Sequence, residues 1–124
     1  MLLALDLTER AIGLAIEVLR ATGPGMLEPV YAGCLCHEPG QANIAYEREA
    51  KIPVSYKGIR FDEGFRADIL VDGQLIVAIR TVTKVVPGHD AQVLAHIRMS
   101  VLRLGSLFNF HARLLKDDLR RFIL

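Results

Sequence analysis

Apolar positions in the first third of the chain recur every three to four residues, and further on the spacing shortens to two. Ile12, Ala15, Ile16 and Leu19 fall on one helical face, which predicts a helix over Thr8–Thr22. Asp6 and Glu9 make a D-x-x-E start signal resembling a capping box, and Gly23-Pro24-Gly25 stops the helix. A second helix starts near Glu28, with Pro29 tolerated in its first turn and Val30, Tyr31, Cys34 and Leu35 as its apolar stripe; Pro39-Gly40 ends it. Four period-two segments follow, at Ile44–Glu49, Ile52–Tyr56, Phe65–Val71 and Leu75–Thr81, and read as strands, with Asp72-Gly73 as a hairpin turn signal. Pro87-Gly88 precedes a helix from about His89 to Leu104, whose core stripe is Val93, Ile97, Val101 and Leu104. Leu107–Phe110 reads as a short strand and Leu114–Phe122 as a last helix. The order ααββββαβα describes an α/β fold, a mixed sheet flanked by helices, in a single domain over residues 1–124.

Composition narrows the function classes. At 52% hydrophobic and 23% charged the chain has the material for a packed core and is not disordered. No apolar run approaches the roughly 20 residues that cross a bilayer, and Asp6 interrupts the apolar start, so the expectation is a cytoplasmic protein without a membrane partner. Cys34 and Cys36 make no disulfide framework. On a helix, residues two apart point about 200° away from each other, so this pair and His37 do not chelate one metal; a buried Cys34 and a half-exposed Cys36 are expected. Net charge is only +1, yet residues 1–75 carry seven basic against eleven acidic residues, and 76–124 carry eight against three. That asymmetry reads either as a solvated helix face or as a surface for an anionic partner. His89-Asp90 has no accompanying nucleophile, so Asp90 is read as serving the helix start. Arg113, Lys116, Arg120 and Arg121 offer a basic edge, with Arg120 and Arg121 preferred as a helix C-terminus.

The chemistry-bearing residues form a spaced set. Gly25-Met26-Leu27-Glu28-Pro29-Val30-Tyr31 reads G-x-x-E-x-x-Y; forty residues on comes Asp68, then Ala78-Ile79-Arg80, then Gln92 and His96. With Tyr56-Lys57-Gly58, Leu104-Gly105 to Phe110 and Leu114-Leu115-Lys116-Asp117 in register, the chain resembles the GxxExxY family of small bacterial proteins, a branch of the PD-(D/E)XK nucleases, from about Asp6 to Arg121. The resemblance implies a restriction-endonuclease-like fold and a metal-dependent phosphodiester site. There Asp68 is the first Mg²⁺ or Mn²⁺ ligand, Ile79 lends its backbone carbonyl, Glu28 adds an outer carboxylate and Gln92 leans over the centre.

The sequence departs from that pattern at the motif that matters. Ala78 stands where the second acid belongs and Arg80, permanently protonated, where the lysine belongs. Asp68 and Glu28 then leave a weakened metal site, while Arg80 either clamps a phosphate or pairs with Asp68 in place of the metal. Pro39-Gly40 is a second departure, predicting a helix about one turn short and a looser Gln41–Ala45. Two readings follow: a decayed site in a module that binds nucleic acid or a protein partner, or a residual nuclease. Association with a second copy of the chain fits the high apolar content. The hairpin carries a check on both. A two-residue Asp72-Gly73 loop sets Asp68 against Val77, whereas bringing Asp68, Ala78 and Arg80 onto one face requires an odd loop, Asp72-Gly73-Gln74, with Gly73 or Gln74 at positive φ.

Overall fold

A computed structural model describes residues 4–42, 44–83, 85, 87–111 and 119–123. Its elements are α1 (Ala4–Thr22), α2 (Glu28–Ala42), β1 (Tyr46–Tyr56), β2 (Ile59–Val71), β3 (Leu75–Arg80), α3 (Pro87–Met99), β4 (Leu104–Asn109) and β5 (Leu119–Ile123). The strands form one sheet in the order β1-β2-β3-β4-β5, antiparallel except for the parallel β3–β4 pair, which α3 connects. The mixed α/β sheet flanked by helices is the architecture that the residue pattern predicts.

Helices cover both faces. Leu7, Ala11, Ala15, Val18 and Leu19 of α1, with Tyr31, Ala32, Leu35 and Cys36 of α2, pack on Ile69, Val71, Leu75, Val77, Ile79 and Phe108. On the opposite face Val93 and Ile97 of α3 pack on Ala50, Ile52, Ala67, Ile76, Ala78 and Leu107. β3 is therefore apolar on both sides, as a central strand must be. Gly105 admits α3 to this layer, because a Cβ there would stand 2.6 Å from Ile97 Cδ1.

Several elements differ from the sequence reading. α1 begins before Asp6, so Asp6 lies inside its first turn and no capping box forms with Glu9, which pairs instead with Arg121. Ile16 lies beside the buried stripe of α1 and is partly exposed. α2 runs through Pro39-Gly40 to Ala42; a proline near a helix end forfeits one backbone bond and does not terminate the element here. Its buried face is rotated from the expected stripe, so Val30 is exposed, Cys34 partly exposed and Cys36 buried. Burial pushes the Cys36 thiol up to about 11, which makes it inert at neutral pH.

The expected strands Ile44–Glu49 and Ile52–Tyr56 are one strand, β1, paired with a β2 that starts at Ile59 rather than Phe65. Their turn, Lys57-Gly58, holds both residues at positive φ (47° and 83°), as a two-residue type I′ hairpin demands. α3 ends at Met99 rather than Leu104: the Ser100 hydroxyl donates to the Ile97 carbonyl and accepts from the Leu102 N–H, and Val101 is 92% exposed instead of core. β4 accordingly starts at Leu104 and not Leu107. The predicted last helix, Leu114–Phe122, falls partly outside the described residues, and its end is β5, where Arg120 and Arg121 pair with Leu107 and Ser106 rather than ending a helix. No helix among the described residues is long and apolar enough to cross a membrane.

Candidate functional site

The β2–β3 hairpin sets the geometry. Val71 pairs with Leu75 and Ile69 with Val77, so the loop is the odd one, Asp72-Gly73-Gln74, with Asp72 (φ 53°) and Gly73 (φ 65°) in the left-handed region. One step further in this register Asp68 lies across from Ala78, not Val77.

Asp68 occupies a break in the pleat. Ala67 belongs to the layer under α3 and Ile69 to the layer under α2, although side chains two apart normally share a face. β1 changes face at the same point, for Arg48 reaches the Pro29 carbonyl of α2 while Ala50 packs under α3. Pairing is regular on either side (Arg48↔Ile69, Ala50↔Ala67), and Glu49 between them is held at φ 48°. This local reversal lifts the Asp68 carboxylate to the rim of β3.

There its Oδ2 accepts the Ile79 backbone N–H at 2.8 Å and the Arg80 Nη1 at 3.3 Å. The same Nη1 donates to the Ile79 carbonyl at 2.7 Å, and Nη2 donates to Gln92 Oε1 on α3 at 2.8 Å. The Arg80 side chain is 19% exposed. The end of β4 braces this strand: the Phe110 N–H donates to the Arg80 carbonyl, and the buried Asn109 amide both donates to and accepts from the Val82 backbone.

Asp68 also lines a cleft of about 400 Å³, together with Glu28 and Ala32 of α2, Arg48 and Glu49 of β1, and Ile79 and Thr81. Glu28 reaches it because Tyr31 ties down the preceding loop. The fully buried Tyr31 hydroxyl donates to the Gly23 carbonyl at 2.7 Å and accepts the Met26 N–H at 3.1 Å, while its ring stacks on Phe110 at 4.5 Å. Gly23 itself ends α1 in the left-handed conformation, φ 73°, with its N–H on the Leu19 carbonyl. The tyrosine of G-x-x-E-x-x-Y is thus a structural pin that positions the glutamate.

Glu28, Asp68, Arg80 and Gln92 come together at one end of the sheet: Asp68 joins the cleft to the guanidinium, and Gln92 caps the guanidinium from the α3 side. His96, one turn along α3, stacks on Phe65 with ring centroids 3.8 Å apart. Burial holds its pKa below the ordinary imidazole value, the Arg80 charge adds to that, and Asp68 opposes it. Sequence reasoning missed Arg48, Glu49 and Thr81. For Arg48 and Glu49 the signal was hidden in the β1–β2 register, which shifts between Ile52 and Val54. Counted straight from the Lys57-Gly58 turn, Asp68 would fall opposite Glu47; the irregularity moves the partner to Glu49.

A divalent cation needs hard oxygen donors that converge on one point. Ala78 offers none, and the two groups nearest that point, Asp68 Oδ2 and the Ile79 carbonyl, already accept from one guanidinium nitrogen. No group of three His, Cys, Asp or Glu side chains among the described residues is arranged to hold a metal. As the side chains stand, the donors about Asp68 do not converge on a Mg²⁺ or Mn²⁺ position, and the Arg80 guanidinium places positive charge beside Asp68.

Residues 5–122 match the family described as the PD-(D/E)XK nuclease superfamily. No curated protein matches the chain. Neither does any solved structure.

Proposed function

The chain belongs to the PD-(D/E)XK nuclease superfamily, and from that premise we propose that it is a nuclease-type domain that holds nucleic acid without cutting it. The reading rests on one observation: the Arg80 guanidinium spans the Asp68 carboxylate and the Ile79 carbonyl, beside an alanine where an acid would complete the donor set. Hydrolysis of a phosphodiester at such a centre needs a cation that neutralises the phosphate and acidifies an attacking water. A guanidinium does the first and not the second, since it has no open coordination position and does not deprotonate near neutral pH. Gly25, Glu28 and Tyr31 favour the GxxExxY branch within the superfamily. A cytoplasmic location belongs to the same proposal.

The test compares wild type, Asp68→Ala and the double variant Ala78→Glu/Arg80→Lys in plasmid cleavage with Mn²⁺. Manganese binding is read in parallel by electron paramagnetic resonance, and folding by thermal melts, because Ala78 sits in the layer under α3. The expected result is cutting by the double variant alone, at least about 10²-fold above wild type, the scale of one lost electrostatic group at an active site. If wild type cuts and Asp68→Ala does not, the domain is instead a residual Mg²⁺- or Mn²⁺-dependent nuclease that uses Asp68 and Glu28.

A further inference from the structure

Without a metal, the cleft beside Asp68 is an unfavourable bed for phosphate. Glu28, Glu49 and Asp68 line it against a single lining cation, Arg48, and the charge of Arg80 is spent on Asp68. A second concavity, of about 470 Å³, lies where the end of α3 meets the β1–β2 ribbon. Lys51 of β1, Arg60 of β2 and Arg98 of α3 line it, with Ser55 and Ser100, and no carboxylate does. Its floor is apolar, formed by Ile52, Leu70 and Leu102, and Val101 stands almost fully exposed at its rim.

We propose that this groove is where the domain holds nucleic acid, taking the phosphodiester backbone of one extended single strand. The proposal rests on the nucleic-acid reading above and moves the contact away from the family-type centre. Three cations drawn from three elements track a polyanion in the way that single-strand grooves do. Arg98 has no ion-pair partner among the described residues. Lys51 and Arg60 are paired with Glu63 and Asp62, whose side chains are well exposed, and surface pairs of this kind exchange readily for a phosphate. The apolar floor suits unstacked bases, which a duplex keeps inside.

The experiment is fluorescence anisotropy with labelled DNA and RNA 12-mers of mixed sequence, titrated across salt concentrations. Wild type should bind both in a salt-dependent manner. Each of Lys51→Ala, Arg60→Ala and Arg98→Ala should weaken binding several-fold, and each should reduce the slope of log affinity against log salt by roughly 0.7. The triple variant should lose at least tenfold, while Arg20→Ala at an exposed position of α1 leaves binding unchanged. All three positions are exposed, and matched thermal melts confirm that the fold is retained. Binding that survives the triple variant but fails in Arg48→Ala or Arg80→Ala overturns the groove and leaves the nucleic-acid reading intact. Absence of binding by either oligonucleotide overturns both. Groove-dependent binding of a polyglutamate peptide in place of the oligonucleotides assigns the surface to an acidic protein partner and overturns the proposal as well.

Discussion

The cleft beneath α2 and the groove at the end of α3 are of similar size, about 400 and 470 Å³, and share one sheet, yet they carry opposite charge and are built in opposite ways. Around the cleft Asp68 is committed to Ile79 and Arg80, Arg80 is committed to Gln92, and Tyr31 holds the loop before Glu28. The groove is lined by side chains whose partners are exposed or, for Arg98, absent from the described residues. The first arrangement is interlocked by hydrogen bonds, and the second is held by exposed pairs that exchange with solvent. Of the two, the groove is the one lined by cations without a carboxylate among them, whereas the cleft sets Arg48 among Glu28, Glu49 and Asp68. The contrast is therefore one between a hydrogen-bonded brace and a surface whose cations are open to exchange; on the function proposed above, the brace stands where a nuclease of this superfamily would hold its metal.

The sharpest way to break that contrast is to remove the brace. Asp68→Ala leaves the Ile79 N–H without its acceptor and a mostly buried guanidinium without its counter-charge, and should cost about 2 kcal/mol of stability in urea unfolding. Arg98→Ala in the groove should stay within about 0.5 kcal/mol of wild type, the usual range for an exposed position. Equal losses at the two positions would make the cleft no more committed than the groove.

Tyr31→Phe sharpens the comparison from the helix side. The ring keeps its stack on Phe110, but the Gly23 carbonyl and Met26 N–H lose their shared hydroxyl, which should cost about 1 kcal/mol. The loop before Glu28 should then exchange its amide hydrogens faster, with the groove untouched. Protection that drops equally across α3 would show that Tyr31 supports the whole fold and not the cleft alone.

What was legible of the cleft came through the family pattern, to which strand spacing then added a geometric check. The odd loop at Asp72-Gly73-Gln74 follows from parity once Asp68, Ala78 and Arg80 are required on one face, and Glu28 follows from its motif. What was hidden depends on events that leave no period. The pleat reversal at Glu49 and Asp68 preserves the pairing on both sides, so Phe65, Ala67, Ile69 and Val71 read as a single alternating strand although they divide between two layers. The register shift near Pro53 concealed Glu49 for a similar reason; its local sign is Gly64, where a Cβ would fall 2.4 Å from a Val54 methyl. Leu119–Ile123 alternates too briefly to separate helix from strand, and pairing with β4 decides it. The groove was invisible because α3 ends at Met99, before the stripe that would have buried Val101.

His96 lies on the helix that joins the two regions, between Gln92 at the brace and Arg98 at the groove. Its pKa in the folded protein is lowered, first by burial against Phe65 and then by Arg80, with Asp68 opposing. Between that lowered value and the ordinary 6.5 the unfolded chain binds more protons than the folded one, so stability falls as pH drops through this window and is fully regained above it. Urea midpoints measured from pH 8 to pH 5 should decline more steeply for wild type than for His96→Phe, which keeps an aromatic partner for Phe65 and removes the titration. This is the smallest of the expected effects, yet it separates the regions cleanly. The new charge appears beside Arg80 and against the Asp68 brace, so acidification should loosen the protection of Ile79 and Arg80 before that of the groove-lining residues. Parallel declines in wild type and His96→Phe would assign the acid sensitivity to other groups and sever the link from α3 to the brace.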